Sequence, residues 1–340
     1  MNRRDTLIAL LALGATVNPR LATPQTSPRM PILGFISLAP TPTRDEWDRT
    51  PFAVELKKLG WVEDKNIRIE RAYADKKFER LSVLAADLVR MKVDLIYALG
   101  PYPALAAAKA TKTIPIVFYG PTSPVEMGLV DSYARPGRNA TGVAWSAGID
   151  VYVKLIGFVK QLAPAATRIA YLRPRSPAGE QIDPKETARQ SEFLLQLVSA
   201  AKKMGLELRG FAVSGPEDFD PAFRAIRTWR PQALYSHQTP ITGPEIQRII
   251  EFANTSRIPS FYDAQAFAKA GGLLTYGPDT SQMVTQSIGH VDRILRGAKP
   301  ADLPVEMPTR YELFVNGKTA KALGLTIPQS ILVRADQVIQ

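Results

Sequence analysis

The chain has 340 residues, 45% hydrophobic and 22% charged, the composition of a folded globular protein rather than a disordered or polytopic membrane one. With no Cys and only two His, His237 and His290, it cannot form disulfides, thiolate metal sites, Cys nucleophiles or a His-rich metal centre, and no metal or cofactor is expected. The net charge of +11 is dispersed; Arg224, Arg227 and Arg230 share one helix face and read as a solvated basic surface, so no nucleic-acid partner is expected.

Residues 1–22 read as a signal peptide. Arg3 and Arg4 precede an uncharged stretch, residues 7–17, too short for a bilayer, which needs about 20 residues. The arginine pair is similar to a twin-arginine leader. Residues 23–30, rich in Pro, Ser and Thr, read as a tether. The expectation is an exported, periplasmic, soluble chain.

From residue 31 a β/α rhythm begins. Strands are predicted at 31–37, 66–73, 93–99, 114–119 and 139–145. Helices are predicted at 44–59, around 81–89, and in the Ala-rich stretch ending at Ala110. Leu81, Leu84, Ala85, Leu88 and Val89 recur at helical spacing. The rhythm restarts with helices at 151–162, 191–204, 219–229 and 244–254. Between them lie strands at 168–172, 206–213, 233–236 and 259–261. A strand at 272–276, a helix at 279–296 and an alternating segment at 311–315 complete the series. Short apolar strands alternating with helices specify an α/β fold of two Rossmann-like lobes with parallel sheets.

In open α/β sheets ligands bind beyond the carboxyl ends of the strands. The candidate ligand-binding residues are therefore Ser37, Gly100, Pro101, Tyr102, Pro121, Thr122, Ser123, Arg173, His237, Tyr262 and Asp263. Trp145 and Tyr276, where the chain passes between lobes, join them. Aromatics, hydroxyls, arginine and backbone amides suit a small polar or aromatic ligand.

One enzymatic alternative has to be weighed. Ala144-Trp145-Ser146-Ala147-Gly148 is similar to a nucleophile elbow, and Ser146, Asp263 and His290 follow the chain order of α/β hydrolases. Against it, His290 falls inside the helix predicted at 279–296, so no catalytic residue is assigned. Gly317-Lys318-Thr319 lacks the earlier Gly of a phosphate loop and reads as a turn into a short helix.

Several blocks taken together carry a family resemblance: 113–118 (TIPIVF), Ser123-Pro124, 127–130 (MGLV) and 135–143 (RPGRNATGV). Gly60-Trp61-Val62-Glu63 with Asn66-Ile67 precede them; 294–306 (ILRGAKPADLPVE) and 316–328 (NGKTAKALGLTIP) follow. The chain resembles ABC transporter substrate-binding proteins of the TrpX type over roughly residues 31–340. The resemblance implies a type I periplasmic-binding-protein fold with a three-crossing hinge. It implies a small amino-acid-like or carboxylate ligand between closing lobes, ABC permease subunits in the inner membrane as partners, and a monomer. A ligand-sensing module of the same fold is the other binding alternative. The implied lobes are 31–143 plus about 273–300, and 144–272, with 301–340 packing across both. Where the family commonly has Asp-Pro and Asn-Pro, this chain has Ser123-Pro124 and Arg173-Pro174-Arg175. These changes remove a carboxylate and an amide and add cations. They point to an anionic ligand group held first by Arg173 and next by Arg175, with backbone amides after Gly100 and Pro121 assisting.

Overall fold

The computed structural model describes residues 29–145, 149–174, 184–239 and 241–340. The expected signal peptide, most of the tether, Ser146 and Arg175 lie outside the described residues.

The first lobe contains β1 (Ile32–Ser37), α1 (Arg44–Asp48), α2 (Pro51–Lys58), β2 (Arg68–Tyr73), α3 (Arg80–Arg90), β3 (Leu95–Leu99), α4 (Pro101–Ala110), β4 (Ile116–Tyr119) and β5 (Ala140–Val143). Its sheet has the order β2-β1-β3-β4-β5, and every pairing is parallel. Strands buried on both faces must be apolar throughout, which is why β1 and β3 read as unbroken hydrophobic runs. Leu33 and Phe35 face one layer of helices while Ile36 and Leu38 face the other. The helix predicted over 44–59 is two helices. Pro51 has no N–H to donate, so Thr50 caps a new helix by accepting from Ala53 at 3.2 Å. Thr43 and Glu46 form a capping box on the first.

The second lobe contains α5 (Asp150–Leu162), β6 (Arg168–Pro174), α6 (Pro184–Lys203), β7 (Glu207–Val213), α7 (Phe219–Trp229), β8 (Ala233–Ser236), α8 (Ile246–Thr255), β9 (Ser260–Tyr262), α9 (Gln265–Lys269) and β10 (Leu274–Pro278). The chain then returns as α10 (Thr280–Leu295), whose Ile288, Val291 and Ile294 pack in the same cluster as Leu33, Phe35 and Tyr97 of the first lobe. β11 (Tyr311–Asn316), α11 (Gly317–Ala322), α12 (Gln329–Leu332) and β12 (Gln337–Ile339) end the chain on the second sheet, whose order is β12-β11-β10-β9-β8-β6-β7. Among the described residues only the β10–β11 pairing of this sheet is antiparallel.

Two boundaries differ from the expectation. The segment from about 273 was assigned to the first lobe, but Leu274–Pro278 is a strand of the second sheet, paired with β9 and β11. The return to the first lobe therefore starts at Asp279. The closing segment divides: Val305 and Glu306 donate to Tyr133 O (2.8 Å) and Gly142 O (2.9 Å), whereas 311–340 belong to the second sheet.

The chain passes between lobes after β5, between β10 and α10, and between Glu306 and Tyr311. These passages are tied together. Ala144 donates to Glu306 O at 2.9 Å, and Asp279 to Arg310 O at 3.0 Å. Gly142, paired with Phe118 inside β5, has φ +152°; a Cβ there would land on the main chain of Phe118.

Candidate ligand-binding cleft

Each sheet reverses its strand order at one point, between β1 and β3 and between β6 and β8, and ligand crevices of doubly wound folds open there. Ser37 and Gly100 end the strands flanking the first switch point; Arg173 and His237 lie at the ends of those flanking the second.

On the first lobe, Ser37 is buried and its Oγ accepts from Ala39 N–H at 3.1 Å. Gly100 has φ +104° and leads into α4. Pro101 and Pro103 carry no N–H, so Tyr102 alone brings a backbone donor to the first three positions of α4, fewer than expected after Gly100. The Tyr102 ring meets Phe78 edge-on at 4.8 Å. The residues after Pro121 form turns rather than a helix, which removes the expected amide cluster there. Pro121 accepts from Trp145 N–H at 2.9 Å, Thr122 is exposed, and Ser123 accepts from Met127 N–H at 2.9 Å.

On the second lobe, an aromatic cluster caps the carboxyl ends of β6 and β8. Tyr171 and Tyr235 are register partners with rings stacked at 4.9 Å. Tyr152 stands against Phe193 at 5.0 Å, and both approach His237 edge-on. The Tyr171 hydroxyl is hydrogen-bonded to His237 Nδ1 at 2.8 Å. Burial pushes the His237 pKa down to about 4, so its ring is neutral and not a cationic anion receptor. Its loop is stapled by Thr242 Oγ1, which donates to His237 O at 2.6 Å and accepts from Thr239 N–H at 2.9 Å.

Asp263, directly after β9, is fully buried. Its Oδ1 accepts from Gln238 N–H at 2.7 Å, and among the described residues its Oδ2 has no hydrogen-bond partner. Burial pushes its pKa up to about 7, although hydrogen bonds from the Gln238 and Asp263 amides and from the Trp145 indole favour the charged form. Among the described residues the Tyr235 hydroxyl is also buried without a partner, and burial and the Asp263 charge both raise its pKa. An unpaired carboxylate oxygen beside a spare hydroxyl and an aromatic cluster is equipped to receive a cation attached to a flat apolar body. The sequence pointed the other way, to an anion held by arginine.

The remaining candidates are dispersed. Arg173 lies along the sheet face, its Cδ 3.1 Å from where a Cβ on Gly210 would stand, near Leu194 of α6. Tyr262 is the last residue of β9 rather than a loop residue, so strand alternation turns it into the core, stacked on Phe267 at 4.2 Å. Tyr276 meets Phe158 edge-on at 5.5 Å and lies 5.9 Å from Tyr311. His290, in α10, has Arg293 3.1 Å from Nδ1 and Glu306 3.4 Å from Nε2. Asp263 and His290 therefore have separate partners on different lobes, and the acid–base half of a triad is not assembled. Among the described residues no group of three or more His, Cys, Asp or Glu could hold a metal ion. Arg227 and Arg230 line a hollow of about 360 Å³ before β8 and β9, at the strand ends opposite the cleft. The sequence reading did not list Tyr152, Tyr171, Phe193 or Tyr235 because it searched loops; Tyr171 and Tyr235, hydroxyl-bearing aromatics inside otherwise aliphatic strands, were the available signal, while Tyr152 and Phe193 lie on α5 and α6.

These lobes and their crevice define a type I periplasmic-binding-protein fold. The chain matches the family described as ABC transporter substrate binding protein over residues 42–339, and it belongs to that family. It is 27% identical over 293 residues to a tyrosine-binding protein of Clostridioides difficile, covering 86% of this chain and 81% of the relative. A conserved domain protein of Vibrio cholerae superposes with a TM-score of 0.79 at 26% identity, covering 91% of this chain and 99% of the other. An ABC domain from Streptococcus pneumonia in complex with L-Trp superposes with a TM-score of 0.78 at 24% identity and the same coverages. The fold and family are thus those of the TrpX-type solute-binding proteins.

Proposed function

We propose that this chain is the exported receptor of an ABC importer, binding an aromatic α-amino acid between its lobes without catalysing a reaction. Asp263 receives the ammonium group, the Tyr152, Tyr171, Tyr235 and His237 cluster packs on the ring, and Ser37 with the start of α4 serves the carboxylate. The observation that carries this reading is the buried Asp263 carboxylate with one oxygen unpaired. A carboxylate in that position lacks a countercharge that an ammonium supplies, and charge-assisted hydrogen bonds contribute about 1.5–3 kcal/mol. The tyrosine-binding and L-Trp-bound relatives support the choice of ligand class. Export to the periplasm, docking of a monomer on permease subunits and the absence of a nucleic-acid partner complete the proposal. It is tested by thermal-shift screening of the chain against the common amino acids and their deaminated analogues. L-Trp, L-Tyr or L-Phe stabilises it and the deaminated acids do not. Stabilisation by carboxylates lacking an amine overturns the reading.

A further inference from the structure

We propose that Lys76 and Glu245 form a latch across the cleft that favours the closed arrangement of the lobes. Lys76 follows β2 on the first lobe and Glu245 precedes α8 on the second, yet Lys76 Nζ lies 3.9 Å from Glu245 Oε1.

Both ends are built to hold this position. Beyond β1 and β2 the ladder continues: Ala74, Asp75 and Lys76 donate to Ser37 O (2.9 Å), Ala39 O (3.2 Å) and Leu38 O (2.8 Å). That path requires Asp75 and Lys76 to be left-handed, with φ +52° and +65°, a conformation disfavoured for residues with a Cβ. Asp75 is fixed by Thr41, whose N–H and hydroxyl both donate to Oδ1 at 2.9 Å, and by an ion pair with Arg80. On the other side, Glu245 Oε2 faces Arg248 at 3.5 Å, and Arg248 is paired with Asp220 at 2.7 Å. Glu245 therefore has one oxygen held within its own lobe and the other turned across the gap.

The two ends also connect to the cleft walls. The Lys76 strap is hydrogen-bonded to the segment carrying Ser37, and Glu245 donates its N–H to Thr242 O at 3.1 Å, on the loop that carries His237. Ligand contacts that draw these walls together draw the latch together, and latch formation holds the walls for the ligand. The latch rests on the two-lobed receptor reading, but its test does not depend on knowing the ligand.

The chain has no Cys, so spin labels can be placed only where introduced. Val83 on the first lobe and Leu195 on the second are exposed, at 61% and 67%. In the V83C/L195C chain, inter-label distances are measured without ligand and with L-tryptophan as probe, for the parent, Lys76→Gln, Glu245→Gln and the double variant Lys76→Gln/Glu245→Gln. The expected result is a closed-to-open ratio reduced roughly two- to fivefold in each single variant and no further in the double variant. High salt lowers the parent ratio and leaves the neutral variants unchanged. Unchanged ratios in both single variants, or a double variant whose loss is the sum of the two, overturn the latch. A latch that behaves as expected while L-tryptophan moves nothing counts against the ligand reading alone.

Discussion

Asp263 accepts the Gln238 N–H at 2.7 Å through Oδ1 and offers a second, unpaired oxygen at the end of β9. The two residues lie on neighbouring strand ends, so the carboxylate is anchored by main chain and not by a basic side chain. Stability and binding are therefore opposed at this position, and its predictions follow from that opposition.

Asp263→Asn keeps the Gln238 hydrogen bond and removes a buried charge. The Asp263 pKa is pushed up from 3.8 to about 7, so between those values the folded state binds more protons than the unfolded one. The unliganded parent thus loses stability from this group as pH rises from about 4 to 7, by up to about 4 kcal/mol. Urea unfolding across that range shows the stability difference between D263N and parent growing with pH, and D263N the more stable at pH 7. A difference independent of pH contradicts the assignment.

The two histidines act with the opposite sign. Burial lowers both His237 and His290 from 6.5 to about 4, with Arg293 adding to the shift at His290. Their contribution is present above pH 6.5 and is lost as pH falls through about 4. Because these are the only two histidines, imidazole NMR of the native protein reads both at once. Neither resonance titrates between pH 8 and 5.5; a midpoint near 6.5 for either contradicts its burial as a neutral ring.

Much of this was legible in advance, and the failures share one cause. Apolar runs such as β3 and the helical spacing of Leu81, Ala85 and Leu88 identify their elements because burial on one face or both dictates them. The family blocks identify the three-passage hinge. The reading failed where side-chain direction decides. Tyr262 was counted as a loop residue, but one more strand residue turns its ring into the core. Arg173 was given an anion to hold, but it extends along the sheet beside Gly210. Asp263 was named for its place after a strand, and nothing in the sequence shows that one of its oxygens lacks a partner.

Gly277 pairs the hinge end of β10 with the site. A Cβ at this position would collide with the Asp263 carbonyl oxygen. Gly277→Ala should cost about 1–3 kcal/mol in urea unfolding through overpacking, and it should weaken ligand binding by displacing Asp263. An alanine variant as stable as the parent contradicts this close approach.

Tyr235→Phe deletes a buried hydroxyl that has no partner among the described residues. Stability without ligand should stay within about 0.5 kcal/mol of the parent or rise, because no hydrogen bond is broken. A loss of more than about 1.5 kcal/mol contradicts the unpartnered hydroxyl.

Whether an ammonium group completes Asp263 is read by calorimetry. L-tryptophan and indole-3-propionate, which differ only in the amine, are titrated into the parent and into Asp263→Asn at pH 7.5. The parent is expected to bind L-tryptophan at least about tenfold more tightly than the deaminated acid, and the preference to disappear in D263N. Equal affinities in the parent, or a preference unchanged in the variant, would contradict the ammonium's role.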